Sequence, residues 1–203
     1  MYWGLIEDWV HGWALCRGAQ SPVRLSDGYR IQLPDRTRYV LAGVDTVARR
    51  QAELTEPGTW LKVIGSRAHV VDALSESWEL EDEQHMMVRD IGEPSPVPPP
   101  AGYHLVTSQD GPVWTALLRT GVDEPAARAT VGVHDEVAVV DMVETEPAHR
   151  RRGLGVVLMA ELMVLGAAAG ATRAVLGATT DGRGLYERLG WRLGPDLVGA
   201  RRR

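Results

Sequence analysis

Apolar and polar positions along this chain recur in two periods. From residue 2 to residue 17 the apolar residues return every three or four positions. Leu5, Trp9, Trp13 and Cys16 share one stripe, with Tyr2, Ile6 and Val10 beside it and Glu7, Asp8 and His11 opposite. That spacing predicts an amphipathic helix whose tryptophans and cysteine are core residues. Shorter segments then predict strands at Val23–Leu25, Tyr29–Leu33 and Arg38–Ala42, divided by turn chemistry at Ser26-Asp27-Gly28 and Pro34-Asp35. A helix over Thr46–Leu54, capped by Asp45 and stopped by Pro57-Gly58, leads to a strand at Trp60–Ile64. A helix at His69–Ser77 and one strand or hairpin over Trp78–Val88 follow.

Between Pro94 and Pro100 five of seven residues are proline. Proline removes the backbone donor and fixes φ, so this stretch predicts a short extended linker. It divides the chain into an α/β half at 1–92, a linker at 93–100 and a second half at 101–203. The second half predicts strands at Tyr103–Thr107, Val113–Arg119, Ala126–Val133 and Val137–Glu144. A helix at Leu154–Ala169, a strand at Arg173–Ala178, a helix at Gly182–Leu189 and a closing strand at Trp191–Leu193 complete it. An antiparallel run followed by a strand-helix-strand unit is an α/β or α+β mixed sheet flanked by helices. The element order from Arg38 to Val88 repeats the order from Val137 onward, which marks the first half as a degenerate copy of the second.

The 203 residues are 44% hydrophobic and 24% charged, with net charge −5. That is a globular composition, and the acidic balance argues against general nucleic-acid binding. A single cysteine, Cys16, excludes an internal disulfide framework and fits a reducing cytoplasm. No metal-ligand set, secretory leader or membrane span is expected; the longest apolar run, Leu154–Ala171, carries Glu161 and three glycines. Basic residues are nearly all arginine, Lys62 being the one lysine. This bias fits a bacterial genome rich in GC.

The chemistry concentrates in Asp141–Gly170. A predicted strand runs into Arg150-Arg151-Arg152-Gly153-Leu154-Gly155, and a long apolar helix begins there. The first N–H groups of a helix have no intrahelical acceptor and sit at the positive end of its dipole. With glycines permitting close approach, such a turn is an anion seat suited to the phosphates of a nucleotide-like cofactor. The corresponding turn of the first half, Gly43-Val44-Asp45, carries an acid and no arginine, so a cofactor belongs to the second half.

Arg150-x-x-Gly153-x-Gly155, preceded by Glu144-Thr145-Glu146-Pro147, resembles the acyl-CoA-binding motif of the GNAT superfamily of N-acetyltransferases. Leu185-Tyr186-Glu187-Arg188-Leu189-Gly190-Trp191 resembles its Leu-Tyr-x-x-x-Gly-aromatic segment. The resemblance spans roughly residues 101–194. It implies acetyl-CoA as cofactor, its pyrophosphate on Arg150, Arg151, Arg152, Gly153, Leu154, Gly155 and Val156. Its pantetheine arm would add to the strand at Val143, Glu144 and Thr145, with Thr179 near it. Tyr186 would protonate the leaving thiolate, and Asp141, read as sharing a strand face with Val143 and Thr145, would be the general base.

The implied reaction transfers an acetyl group to a primary amine, in a small molecule or peptide, within a ternary complex. A non-catalytic CoA-binding sensor or scaffold is the alternative. Two features depart from the family pattern. Only Ser108–Pro112 stands where acceptor-site helices usually lie between the first two strands, and the usual seventh strand is missing or very short. The first half, or a second copy in a homodimer, is expected to supply the missing wall.

Overall fold

A computed structural model describes residues 3–203; Tyr2, placed in the first helix by its periodicity, lies outside the described residues. The first half contains α1 (Trp3–Cys16), β1 (Val23–Arg24), β2 (Gly28–Gln32), β3 (Thr37–Leu41), α2 (Val47–Glu53), β4 (Trp60–Ile64), α3 (Arg67–Ala73), β5 (Trp78–Leu80) and β6 (Gln84–Asp90). The second contains β7 (Tyr103–Asp110), β8 (Val113–Thr120), β9 (Pro125–His134), β10 (Val137–Thr145), α4 (Leu154–Ala168), β11 (Arg173–Thr179), α5 (Thr180–Arg188) and β12 (Arg192–Arg202). Asp45 does not cap α2: it sits in a short 3-10 turn, Val44–Thr46, and Thr46 takes the cap position without a side-chain bond.

The strands join into one mixed sheet, ordered β1-β2-β3-β4-β12-β6-β11-β10-β9-β8-β7, with β5 pairing β12. The proline segment carries no strand or helix, but the sheet does not divide there. β6, from before the prolines, lies between β11 and β12. In return, Leu197–Arg201 of β12 pairs with β4, and its last residues pair with β5. Each half therefore ends in an antiparallel trio whose middle strand comes from the other half. The parallel pairs β3–β4 and β10–β11 occupy matching places on the two sides of this exchange.

The exchange accounts for two differences from the sequence reading. The segment over Trp78–Val88 splits because Glu81-Asp82-Glu83 interrupts it where the chain changes partners. The closing strand continues past Gly194-Pro195 because the register shifts between Leu193 and Asp196, where a proline withholds no ladder hydrogen bond. The apolar run Leu197-Val198-Gly199-Ala200 then has buried positions to fill.

Helices cover both faces. On one, α4 buries Leu154, Leu158 and Leu162 against Ala129, Val131, Ala138 and Val140. On the other, α1 buries Ile6, Trp9, Val10 and Trp13 against Val137, Val139, Val175 and β2–β3. Each fully buried large apolar side chain contributes about 1.5–3 kcal/mol. α1 lies very close to the sheet at Gly12, where a Cβ would stand 2.5 Å from Val139 Cγ2 and 3.0 Å from the Gly132 oxygen. The first half thus supplies a helix on the sheet face where β7 and β8, joined only by Gly111-Pro112, offer none. Among the described residues no helix is long and apolar enough to cross a membrane.

Candidate active site

The site begins where β10 and β11 part. They pair in parallel from Val137/Arg173 to Val140/Leu176, and both then run on, to Thr145 and Thr179. The cause lies in β10: Met142 has φ of 51°, and the register with β9 shifts between Asp141 and Glu144. One extra residue in a strand bends it and interrupts its ladder. The bulge also reverses the side-chain alternation. Asp141 opposes Thr130 and Glu144 opposes Arg128, so these two acids share a face, while Val143 packs into the core on the α4 side. The sequence reading, which put Asp141 with Val143 and turned Glu144 away, is corrected here, since a period of two holds only for an unbroken strand.

Beyond Thr145 the chain makes a 3-10 turn at Pro147–His149 and enters α4 through Gly153, whose φ is +78°. Arg150 N–H donates to the Pro147 oxygen at 3.4 Å, and Val156 N–H to the Gly153 oxygen at 3.0 Å. Between them the N–H groups of Arg151, Arg152, Gly153, Leu154 and Gly155 find no acceptor among the described residues. Five consecutive free donors at a helix start fit the pyrophosphate of an acyl-CoA.

Side chains hold this turn in place. Arg150 Nε donates to the Thr145 oxygen at 3.2 Å, and Arg152 donates to the Ala148 oxygen and to Tyr103 Oη, each at 3.1 Å. Tyr103 Oη also lies 2.9 Å from His149 Nδ1. The start of α4 abuts α5: a Cβ on Gly155 would stand 2.8 Å from Leu185 Cδ2.

The gap between the strands opens into a cavity of about 540 Å³. It gathers Asp141, Val143, Glu144, Thr179 and Tyr186 of the sequence-predicted residues. Thr145 and Arg150–Val156 lie outside it, at the end of β10 and in the turn. Thr179 caps α5, its hydroxyl accepting from Gly182 N–H at 3.2 Å. Tyr186 is buried, and burial, with the nearby Asp141 carboxylate, pushes its phenol up to about 12. It remains protonated through neutral pH. Both Asp141 oxygens accept from Arg17, Oδ1 from Nη2 at 3.0 Å and Oδ2 from Nε. Glu144 is exposed and paired with Arg128 at 2.9 Å.

The opposite wall comes from the first half, one of the two sources expected for the missing wall, but its residues were not read as site residues. Trp9, Trp13 and Arg17 of the α1 segment line the same cavity together with Arg38 of β3 and Trp60 and Lys62 of β4. The two helix tryptophans are core, as their spacing predicts, and their edges also line the cavity. The available signal was the strand pattern: Arg38 occupies a buried phase of β3, and the chain's one lysine stands inside the apolar strand Trp60–Ile64. Lys62 Nζ lies 2.9 Å from Glu81 Oε2 and donates to Gln84 at 2.8 Å. Among the described residues no cluster of His, Cys, Asp and Glu could hold a metal ion.

The fold is shared with solved acetyltransferases. An N-acetyltransferase from Kribbella flavida is 15% identical and superposes over 100% of this chain and 95% of its own, with a TM-score of 0.69. A putative acetyltransferase from Novosphingobium aromaticivorans, 17% identical, covers 97% of this chain and 95% of its own with a TM-score of 0.60. A tandem GNAT protein of the clavulanic acid pathway, 13% identical, covers 87% and 80% respectively, with a TM-score of 0.57. No curated protein matches the chain in sequence. Residues 69–191 match the sequence model of the acetyltransferase (GNAT) family. That match covers more than half of the chain, which therefore belongs to the GNAT family of acetyltransferases.

Proposed function

We propose that the protein transfers an acetyl group from acetyl-CoA to a primary amine by direct attack in a ternary complex. The observation that carries this reading is the run of unpaired N–H groups from Arg151 to Gly155, continuous along β10 with a cavity that ends at a protonated Tyr186. Bound acetyl-CoA supplies a thioester whose carbonyl carbon can accept an amine nitrogen. The Arg151–Val156 turn would hold the pyrophosphate, and the freed edge of β10 at Val143–Thr145 the pantetheine arm, through backbone hydrogen bonds.

Tyr186 holds a proton at Oη for the departing sulfur, a contribution of the size usual for positioned general acids. Asp141, oriented by Arg17, receives the proton that the nitrogen gives up, directly or through one water. Thr179 fixes the start of α5 and so the position of Tyr186.

Calorimetric titration with acetyl-CoA and with CoA, beside Gly155→Trp, tests the cofactor half of the proposal. Saturable binding lost in the variant supports it, and no binding to wild type overturns it. Thiol release over an amine panel, with Tyr186→Phe alongside, tests the chemistry. Binding with no turnover of any amine would instead support a CoA-sensing module.

A further inference from the structure

Among the described residues one cation of the cavity lining has no ion-pair partner, although the Glu81 and Asp141 carboxylates of the same lining act on it from a distance. Arg17 is engaged by Asp141, Arg36 by Asp35 at 3.2 Å, and Lys62 by Glu81 and Gln84. Arg38 differs. It is only 9% exposed, its Nε is fully buried without a hydrogen-bond partner, and no carboxylate among the described residues lies within ion-pairing distance. Its guanidinium carbon lies 4.9 Å from the Trp13 ring centroid and 5.2 Å from that of Trp60.

A buried cation is costly unless it is paired. Two aromatic faces recover part of that cost and also fix the plane of the guanidinium. Burial pulls its pKa down to about 10, so it stays charged at neutral pH. An unpaired, oriented guanidinium at the wall of an open cavity is prepared for a carboxylate, which matches its fork of donors.

We infer that Arg38, framed by Trp13 and Trp60, binds a carboxylate of the acceptor, which is therefore a small amine that also carries a carboxylate, an amino-acid-like molecule. The inference rests on the acyltransfer reading, and it supplies what that reading lacks, the class of acceptor. The acceptor would lie across the cavity, its carboxylate at the first-half wall and its amine toward Asp141 and Tyr186. The carboxylate is unchanged by the reaction: the nitrogen–carbonyl bond forms as the carbon–sulfur bond breaks, the nitrogen gives one proton to Asp141, the sulfur takes one from Tyr186, and transfer from Asp141 through solvent restores Tyr186.

The test uses the full chain with acetyl-CoA and the protein amino acids, each beside its amide and its decarboxylated amine, with thiol release as readout. The expected result is a kcat/KM for at least one amino carboxylate 10-fold or more above both partners. In Arg38→Gln that ratio should fall to near one through KM, with partial recovery in Arg38→Lys. Amines without a carboxylate used equally well, or an unchanged ratio in Arg38→Gln, would overturn the inference.

Should Arg38→Gln fail to fold, wild-type calorimetry with the same compounds decides. Carboxylates that bind while their amides do not support the site, and equal or absent binding refutes it. Failure of acetyl-CoA to bind would remove the acyltransfer reading and the word acceptor with it, while carboxylate binding at Arg38, measured without acetyl-CoA, would still stand or fall separately. Turnover of amines with no carboxylate preference would remove only the inference.

Discussion

Arg17, the residue after the last turn of α1, donates to both oxygens of Asp141 on β10, 124 positions away in sequence. The contact ties the helix contributed by the first half to the strand that parts from β11. Arg17→Ala leaves a largely buried carboxylate without its partner. Because Arg17 is itself 38% exposed, solvent screens part of that cost, and the expected loss is about 1–2 kcal/mol, or a Tm lower by roughly 2–8 °C. Asp141→Asn should lower kcat about 10²–10⁴-fold and leave acetyl-CoA affinity unchanged. Asp141→Asn with kcat within twofold of wild type would make the pair a structural tie only. Thermal melts and steady-state kinetics on both variants check this.

The seat of α1 offers a second test. At Gly12 any Cβ meets Val139 at 2.5–2.7 Å, and at Gly132 it meets the Gly12 oxygen at 2.6 Å. Neither neighbour is the free end of a flexible chain, so relief requires moving the helix. Gly12→Ala should cost about 1–3 kcal/mol in urea unfolding, although alanine is the better helix former. A gain in stability would show that α1 can shift at little cost.

These two contacts mark where the sequence was readable and where it was not. The apolar stripe of α1, the Arg150–Gly155 turn and the segment around Tyr186 are local patterns, and each forms the helix or turn read from it. The Met142 bulge is not local information: one inserted residue reversed the facing of Asp141 and Val143, and no propensity signals a positive φ at methionine. The exchanged strands were equally hidden, since β6 finds its partners on either side only after residues 173–196 have folded. Arg38 gave a weaker signal, a charge in the buried phase of a strand. A single sequence does not distinguish such a charge from one that is paired.

The strand exchange predicts that the proline segment is covalently dispensable once the chain has folded. A protease site placed at Val97-Pro98, an exposed stretch without strand or helix, should be cut without loss of structure. The two pieces should co-elute at the intact mass, because β6 and β12 each lie between strands of the opposite piece. Fragment 101–203 expressed alone should be poorly soluble, with β11 and β12 left as open apolar edges. Separation of the cut halves without denaturant would contradict the exchange as a holding device.

Alkaline pH should destabilise the protein through two buried groups. Burial raises the Cys16 thiol to about 12, and Tyr186 also to about 12. The sign follows from linkage. Both groups favour the folded state fully below their unfolded values, about 9 for the thiol and about 10 for the phenol. Above those values the unfolded chain has released protons that the folded chain retains, so stability falls as pH rises toward 12. By about pH 10.5 the thiol alone accounts for ~2 kcal/mol of that loss. Cys16→Ala removes a packed sulfur, which costs about 1 kcal/mol at neutral pH, and it removes the titration as well. Urea unfolding of wild type and Cys16→Ala at about pH 7.5 and about pH 10.5 should therefore show the variant less stable at the lower pH and equal or more stable at the higher. Parallel losses in the two proteins would mean that the thiol is open to solvent, and that α1 does not lie on the sheet as closely as Gly12 and Val139 require.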